Sequence, residues 1–234
     1  MTDFFNQDMA ASYDERNSKL AAIADSMHFL VRLVLADLPT HARILCVGVG
    51  TGAEILSLAK ARPEWTFVGV DPSAEMLDVC HDRLERDGVL ARCELIQGYV
   101  HAAPEGAAFD AALSILVAHF IGREQRRAFY RDIRERLNPG GYFVSTEMCF
   151  DLDAVEFPAM LKNWEQVQAL MGATPDSLRK LPVTLRNVLC ILSPDETATL
   201  LRECGFGLPV QFFQALMIRG WYAENVRDFA SNVR

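Results

Sequence analysis

No CxxC pair occurs in this 234-residue chain, and its six cysteines (Cys46, Cys80, Cys93, Cys149, Cys190, Cys204) follow no short regular spacing. Scattered thiols in a chain of this size read as reduced core residues, so neither a disulfide scaffold nor a zinc site is expected. Glycine and proline are modest, at 14 and 10 residues, which excludes collagen-like and low-complexity chains. There is no run of 18 apolar residues, so no membrane-spanning helix is expected. The opening MTDFFNQDMA has neither a basic segment nor an apolar stretch of the kind a secretory signal needs, and the expected compartment is the cytoplasm. Positive charge is in short supply: 23 Lys and Arg stand against 31 Asp and Glu, a formal −8. That balance disfavours broad binding to nucleic acid or anionic membranes, both of which depend on neutralising phosphate.

What is present is a rhythm. Half of the chain is hydrophobic, enough for a sizeable core. Short apolar runs at 42–48, 65–71, 93–98, 109–116 and 140–148 read as buried strands, with helical stretches at 53–60, 73–87 and 123–137 between them. Strands that are apolar throughout and separated by helices predict an α/β fold: a doubly wound, Rossmann-like sheet, mostly parallel with an antiparallel C-terminal strand, and helices on both faces. The final LPVQFFQALMIRGWYA predicts a strand pair or one bent strand, with a pair running antiparallel to the rest. The expected organisation is an N-terminal helical arm or lid (1–40), the α/β core (41–148), a helical insertion serving as a substrate lid (149–190), and a terminal helix and strands completing the core (191–234). Within the insertion, Val155–Met171 predicts a helix and Thr174–Val188 a loop.

The first strand runs directly into Gly48-Val49-Gly50-Thr51-Gly52 and then a helix. Glycines are required where a chain turns sharply and where its backbone must come close to a ligand. Asp71 follows at the end of the second strand, where a carboxylate can accept both hydroxyls of a ribose. Together they predict a nucleoside site. Gly48-x-Gly50-x-x-Ala53 also satisfies the dinucleotide fingerprint, which keeps a nicotinamide-dependent oxidoreductase in consideration.

At these residues the sequence resembles the class I S-adenosylmethionine (SAM) dependent methyltransferases. ILCVGVGTG, VGVDPSAEML, FDAALSILVAHF and LNPGGYFVSTE are similar to four of that family's motifs, with the resemblance close over 42–147 and looser over 190–223. The resemblance implies SAM as cofactor, S-adenosylhomocysteine as product, and a small-molecule methyl acceptor. It places Gly48, Gly50 and Gly52 beneath the methionine part, Asp71 on the ribose, and Met76 near the adenine. It puts Tyr99 and Val100 where adenine is read, and the Ser114 backbone at the methionine amino group. Two positions depart from the family: Cys46 stands where an acid is common, and Tyr99 replaces the usual acid on the adenine amino group.

For the chemistry, His119 follows the fourth strand at the ligand-binding edge and is the candidate general base. Tyr13, with Arg16, resembles the arm residues that such enzymes fold over the cofactor. Glu147 ends the fifth strand at the same edge, where it could orient a substrate or cap a loop, while His28 reads as structural. Arg123, Arg127, Arg131 and Arg134 lie at helical spacing but interleave with acids, the pattern of a solvated face rather than an RNA surface. Two further readings stay open. The tail LRNVLCILSPDETATLLRECGF is similar to the carboxy-SAM synthase branch that serves tRNA wobble-uridine modification, although that branch's carboxylate-binding arginine falls at Pro182, with Arg179 and Lys180 nearby. A non-catalytic SAM-binding module is the other. The helix at 155–171 also offers a face for a homodimer.

Overall fold

The computed structural model describes residues 15–226; Tyr13 lies outside them. Helix α1 (Ala21–Val34) leads into β1 (Arg43–Val47), α2 (Ala53–Ala61), β2 (Thr66–Asp71), α3 (Ala74–Arg86), β3 (Cys93–Gln97) and β4 (Phe109–Ile115). Then come α4 (Arg123–Arg136), β5 (Leu137–Met148), α5 (Phe157–Leu170), α6 (Pro175–Asn187), α7 (Pro194–Glu203), β6 (Val210–Ala215) and β7 (Ile218–Glu224). The strands form one sheet in the order β3-β2-β1-β4-β5-β7-β6.

β1 to β5 run parallel, and β7 lies antiparallel between β5 and β6. Only β7 opposes the sheet direction. This is the expected mostly parallel sheet with an antiparallel C-terminal strand, β7. The two strands of a hairpin oppose each other, so β6 runs with the rest and the two do not both oppose the sheet, as a strand pair antiparallel to the rest would require.

Successive side chains of a strand point to opposite faces, so a sheet covered on both sides needs both sets to be apolar. Ile44, Cys46, Phe67, Ala111, Leu113 and Val144 pack against α1, α2 and α3 through Val31, Ile55, Leu58, Leu77 and Leu84. Their neighbours Leu45, Val47, Val68, Val70, Ala112 and Phe143 pack on the other face against Tyr130 and Ile133 of α4 and Leu200 and Leu201 of α7. Burial of these side chains contributes about 1.5–3 kcal/mol apiece.

The insertion leaves β5 and returns beside it. Cys149 pairs with Leu192 in an isolated parallel bridge, and the Phe150 N–H donates to the Leu192 carbonyl at 3.0 Å. Between them α5 and α6 pack Phe157, Trp164, Val167, Leu181 and Leu185 against Met27 of α1, Met148 of β5 and Phe213, Met217 and Ile218 of the terminal hairpin. Residues 174–188 are therefore a helix and not the expected loop. Thr174 caps it by accepting the Ser177 N–H at 3.2 Å, Pro175 sits in its first turn, and Pro182 is tolerated inside it. The apolar side of α6, with Leu181 and Leu185 buried, outweighs the missing Pro182 N–H.

Candidate functional site

β1 is the strand from which the chain winds first to one side, through β2 and β3, and later to the other, through β4. A crevice at such a switch point, outside the carboxyl ends of the strands, is where open α/β sheets bind ligands. The β1–β4 pairing ends at Cys46 and Leu113, so Ser114 lies one step beyond its last β1 partner.

Three glycines in the loop have positive φ: Gly48 (70°), Gly50 (50°) and Gly52 (78°). They serve different ends. A Cβ at Gly48 would sit 2.4 Å from a methyl group of Val117, and one at Gly52 would sit 2.6 Å from the Cys80 sulfur. Those two are glycine because the protein itself presses on them. At Gly50 nothing lies within 4 Å of the Cβ position, so the backbone there is open to an approaching ligand.

Asp71 ties this loop to the second strand. One of its carboxylate oxygens accepts the Gly50 N–H at 2.9 Å and the other accepts the Ser73 N–H at 3.0 Å. Burial pushes its pKa up, while the Ser73 and Gly50 N–H bonds hold it down. A carboxylate has about four acceptor positions, so two remain for ribose hydroxyls. Ser73 also caps α3 by accepting the Met76 N–H at 3.2 Å, and the Met76 side chain is buried beside the crevice floor. Across the edge, Val100 is buried, and the Tyr99 ring is exposed on its outer side. The Ser114 hydroxyl is fully buried, with no hydrogen-bond partner among the described residues.

The catalytic expectations fare differently. His119 is 4% exposed, its Nδ1 accepts the Met148 N–H at 3.4 Å, and its carbonyl accepts the Cys190 N–H at 2.9 Å. Desolvation, followed by the nearby Arg126, pushes its pKa down to about 3. In this structure His119 is sealed in the core as a neutral acceptor of a backbone bond, the setting of a structural histidine. Glu147 is likewise sealed in. Its carboxylate is 2.7 Å from Arg126 Nη1 and receives the Tyr130 hydroxyl at 3.3 Å, so it is a tether rather than a substrate ligand. Arg126 Nη2 also donates to the carbonyls of Cys190 and Ile121. Of the arm, Arg16 Nε donates to the Met171 carbonyl at the end of α5, 3.3 Å away.

Two residues escaped sequence reasoning. Arg126 sits in an arginine-rich helix, but its spacing to Tyr130 and Ile133 puts it on the buried stripe. Leu116 has φ 59°, unusual for a side-chain-bearing residue, and its N–H is held by the Thr146 carbonyl at 2.7 Å. That turn lays Val117 against Gly48.

Residues 44–141, the strands and loops just described, match the family described as "Methyltransferase domain". Over that stretch the chain is similar to methyltransferase domains, in line with the resemblance its sequence motifs carry. Over nearly the whole length it is also similar to carboxy-S-adenosyl-L-methionine synthases. It is 22% identical to the one from Campylobacter lari over 90% of this chain and 89% of that protein. To the one from Methylococcus capsulatus it is 24% identical over 95% and 91%. Among solved structures, a putative O-methyltransferase from Nostoc punctiforme superposes with a TM-score of 0.68 at 17% identity, a likeness of fold. That match covers 93% of this chain but only 59% of the Nostoc chain. The cofactor of the class is SAM, and the open backbone at Gly50 together with the spare acceptor positions of Asp71 fits its methionine and ribose parts.

Proposed function

We propose that this protein transfers the methyl group of SAM to a small-molecule acceptor by direct displacement. The observation that carries the reading is the coupling of Asp71 to Gly50. The ribose-binding acid and the open glycine backbone are fixed to each other by one 2.9 Å bond at the switch point of the sheet.

The cofactor supplies an electrophilic sulfonium methyl when bound; what the chain supplies is placement and dryness. Gly48, Gly50 and Gly52 shape the floor under the methionine part, Asp71 fixes the ribose, and Met76, Tyr99 and Val100 flank the adenine. The backbone at Ser114 faces the amino group. Beyond it, Leu116, Ile115 and Met148 meet the insertion's apolar cluster, which walls the acceptor side. Trp164 is buried in that wall, with its indole N–H unpartnered among the described residues, and offers one donor to an otherwise apolar acceptor. With His119 and Glu147 both committed to the core, the reaction draws on positioning and not on a protein base from either of them. The acidic surface balance supports an acceptor other than nucleic acid.

The test is isothermal titration with SAM and S-adenosylhomocysteine, followed by mass spectrometry of acceptor panels for methyl gain. A protein that binds neither nucleoside would end the reading.

The likeness to carboxy-SAM synthases over nearly the whole chain favours a second reading, attachment of a carboxyl group from a carboxylate donor to SAM rather than transfer of the SAM methyl group to an acceptor. Against it, Pro182 occupies the arginine's place, and Arg179 is exposed and paired with Asp176. Incubation with SAM and prephenate separates the two, because formation of a carboxylated nucleoside would select the second.

A further inference from the structure

β4 ends at Ile115, and the chain then turns at Leu116, whose φ of 59° lies in the left-handed region that a leucine rarely enters. The turn is held in place. The Leu116 N–H is shared between the Thr146 carbonyl at 2.7 Å and the Thr146 hydroxyl at 3.2 Å. It sends two adjacent side chains to the two halves of the proposed site. Leu116 packs against the insertion's apolar cluster. Val117 lies against the glycine loop, with a methyl group 2.4 Å from where a Cβ at Gly48 would stand.

Both halves are fastened. On the loop side, the Gly48 and Val49 N–H groups donate to the Val70 carbonyl at 2.8 and 3.1 Å, and the Gly50 N–H to Asp71 at 2.9 Å. Those bonds tie one flank of the loop to β2, and on the β4 flank it meets Val117. On the insertion side, the short helical turn Ala118–Phe120 is bonded to both ends of the insertion. His119 Nδ1 accepts the Met148 N–H at 3.4 Å, and the His119 carbonyl accepts the Cys190 N–H at 2.9 Å. Arg126 spans the carbonyls of Cys190 and Ile121. Residues 116–121 therefore form one bonded body with the insertion's ends, and Val117 is where that body touches the glycine loop.

Close-packed contacts pass a displacement on rather than absorb it. Building on the SAM reading above, we infer that Val117 is a positioning residue that couples occupancy of the glycine loop to the insertion. A cofactor seated over the open Gly50 backbone fixes the loop. The loop fixes Val117, and with it the 116–121 turn and the two ends of the insertion. The acceptor wall is thus set once the cofactor is in place. Linkage makes the effect reciprocal: whatever orders the insertion tightens cofactor binding by the same factor. Val117 touches no ligand in this scheme and acts through Gly48.

The experiment is hydrogen exchange of the full chain with and without S-adenosylhomocysteine, with calorimetry to show that each variant binds it. In wild type the nucleoside should slow the glycine-loop amides. It should also slow, by about fivefold or more, the amides of Met148, Phe150 and Cys190 that bond across the neck of the insertion. Val117→Ala should keep the first effect and lose the second. Val117→Thr retains the branched shape against Gly48 while giving up apolar burial, so it should restore the second. Leu116→Gly cuts the link from the other side, fits a φ of 59° without strain, and should also lose the slowing at the neck. It decides the matter should Val117→Ala fail to fold. Three results overturn the inference and leave the SAM reading standing: neck amides slowed in the folded Val117→Ala or Leu116→Gly as in wild type, a threonine variant as defective as the alanine one, or a wild type that binds the nucleoside with its neck amides unchanged. No binding of S-adenosylhomocysteine by wild type overturns both.

Discussion

Arg126→Ala is the sharpest perturbation available, because three elements meet at one guanidinium. Arg126 and Glu147 are both fully buried, 2.7 Å apart, and Arg126 also serves the carbonyls of Ile121 and Cys190. Deleting the guanidinium leaves Glu147 as an uncompensated buried charge, a change worth about 3–5 kcal/mol in other proteins. Two carbonyls lose a donor as well, at about 1–3 kcal/mol each if water cannot reach them. These losses overlap, and protonation of Glu147 relieves part of the first, so we expect about 4 kcal/mol in all. For a chain of this size that is a fall in Tm of roughly 8–16 °C. Differential scanning calorimetry with urea unfolding at pH 7 measures it. Replacing both partners, as Arg126→Met with Glu147→Leu, should recover at least half of the loss, since no charge is then stranded. A folded Arg126→Ala that loses less than about 1 kcal/mol would refute the reasoning, as would a double variant no better than the single one.

Asp71→Ala should weaken SAM binding by about 1.5–3 kcal/mol, the range for hydrogen bonds to a charged group, and calorimetry showing unchanged affinity in a folded variant would remove Asp71 from the site. Gly50→Val places a side chain in the open space above the loop and strains a φ of 50°, so SAM binding should vanish while circular dichroism still reports the sheet. His119 has a folded pKa near 3 against an ordinary 6.5. Its contribution is complete above pH 6.5 and lost as pH falls toward 3, on the order of 5 kcal/mol. His119→Asn, whose side-chain oxygen can accept the same Met148 N–H, should flatten that acid limb in a pH series of urea midpoints. Hydrogen exchange at 157–187 should slow on binding S-adenosylhomocysteine while β1 and β4 are already slow; exchange confined to the glycine loop would make the insertion a fixed element.

The strands could be read from the sequence because a parallel sheet buried on both faces writes each strand as a continuous apolar run. VGVGTG and Asp71 were legible for a related reason, since few functions need three glycines between a buried strand and a helix. The failures have equally physical origins. Pro182 and the basic residues 179, 180 and 186 made residues 174–188 look like a loop. Its cap, Thr174-Pro175, and the i, i+4 pair Leu181 and Leu185 were the signals that could have found the helix. His119 and Glu147 were correctly placed near the carboxyl edge of the sheet, but burial is set by what packs above. Here that is the chain returning at Cys190, which no local pattern reveals. Arg126 was hidden among look-alike arginines, because charge alone does not tell which of them the helix phase turns inward.

The bridge between Cys149 and Leu192 gives the insertion the character of an exchangeable cassette. Its two ends are already adjacent, so a substituted segment of a different length would add little closure entropy and would leave every sheet register intact. What a transplanted cassette must reproduce is its underside. It has to cover Met27, Met148, Met217 and Ile218, or those side chains become exposed apolar surface. Under the proposed function, acceptor choice would diverge by swapping this one segment over an unchanged sheet, with the methionine-rich seam as the compatibility rule.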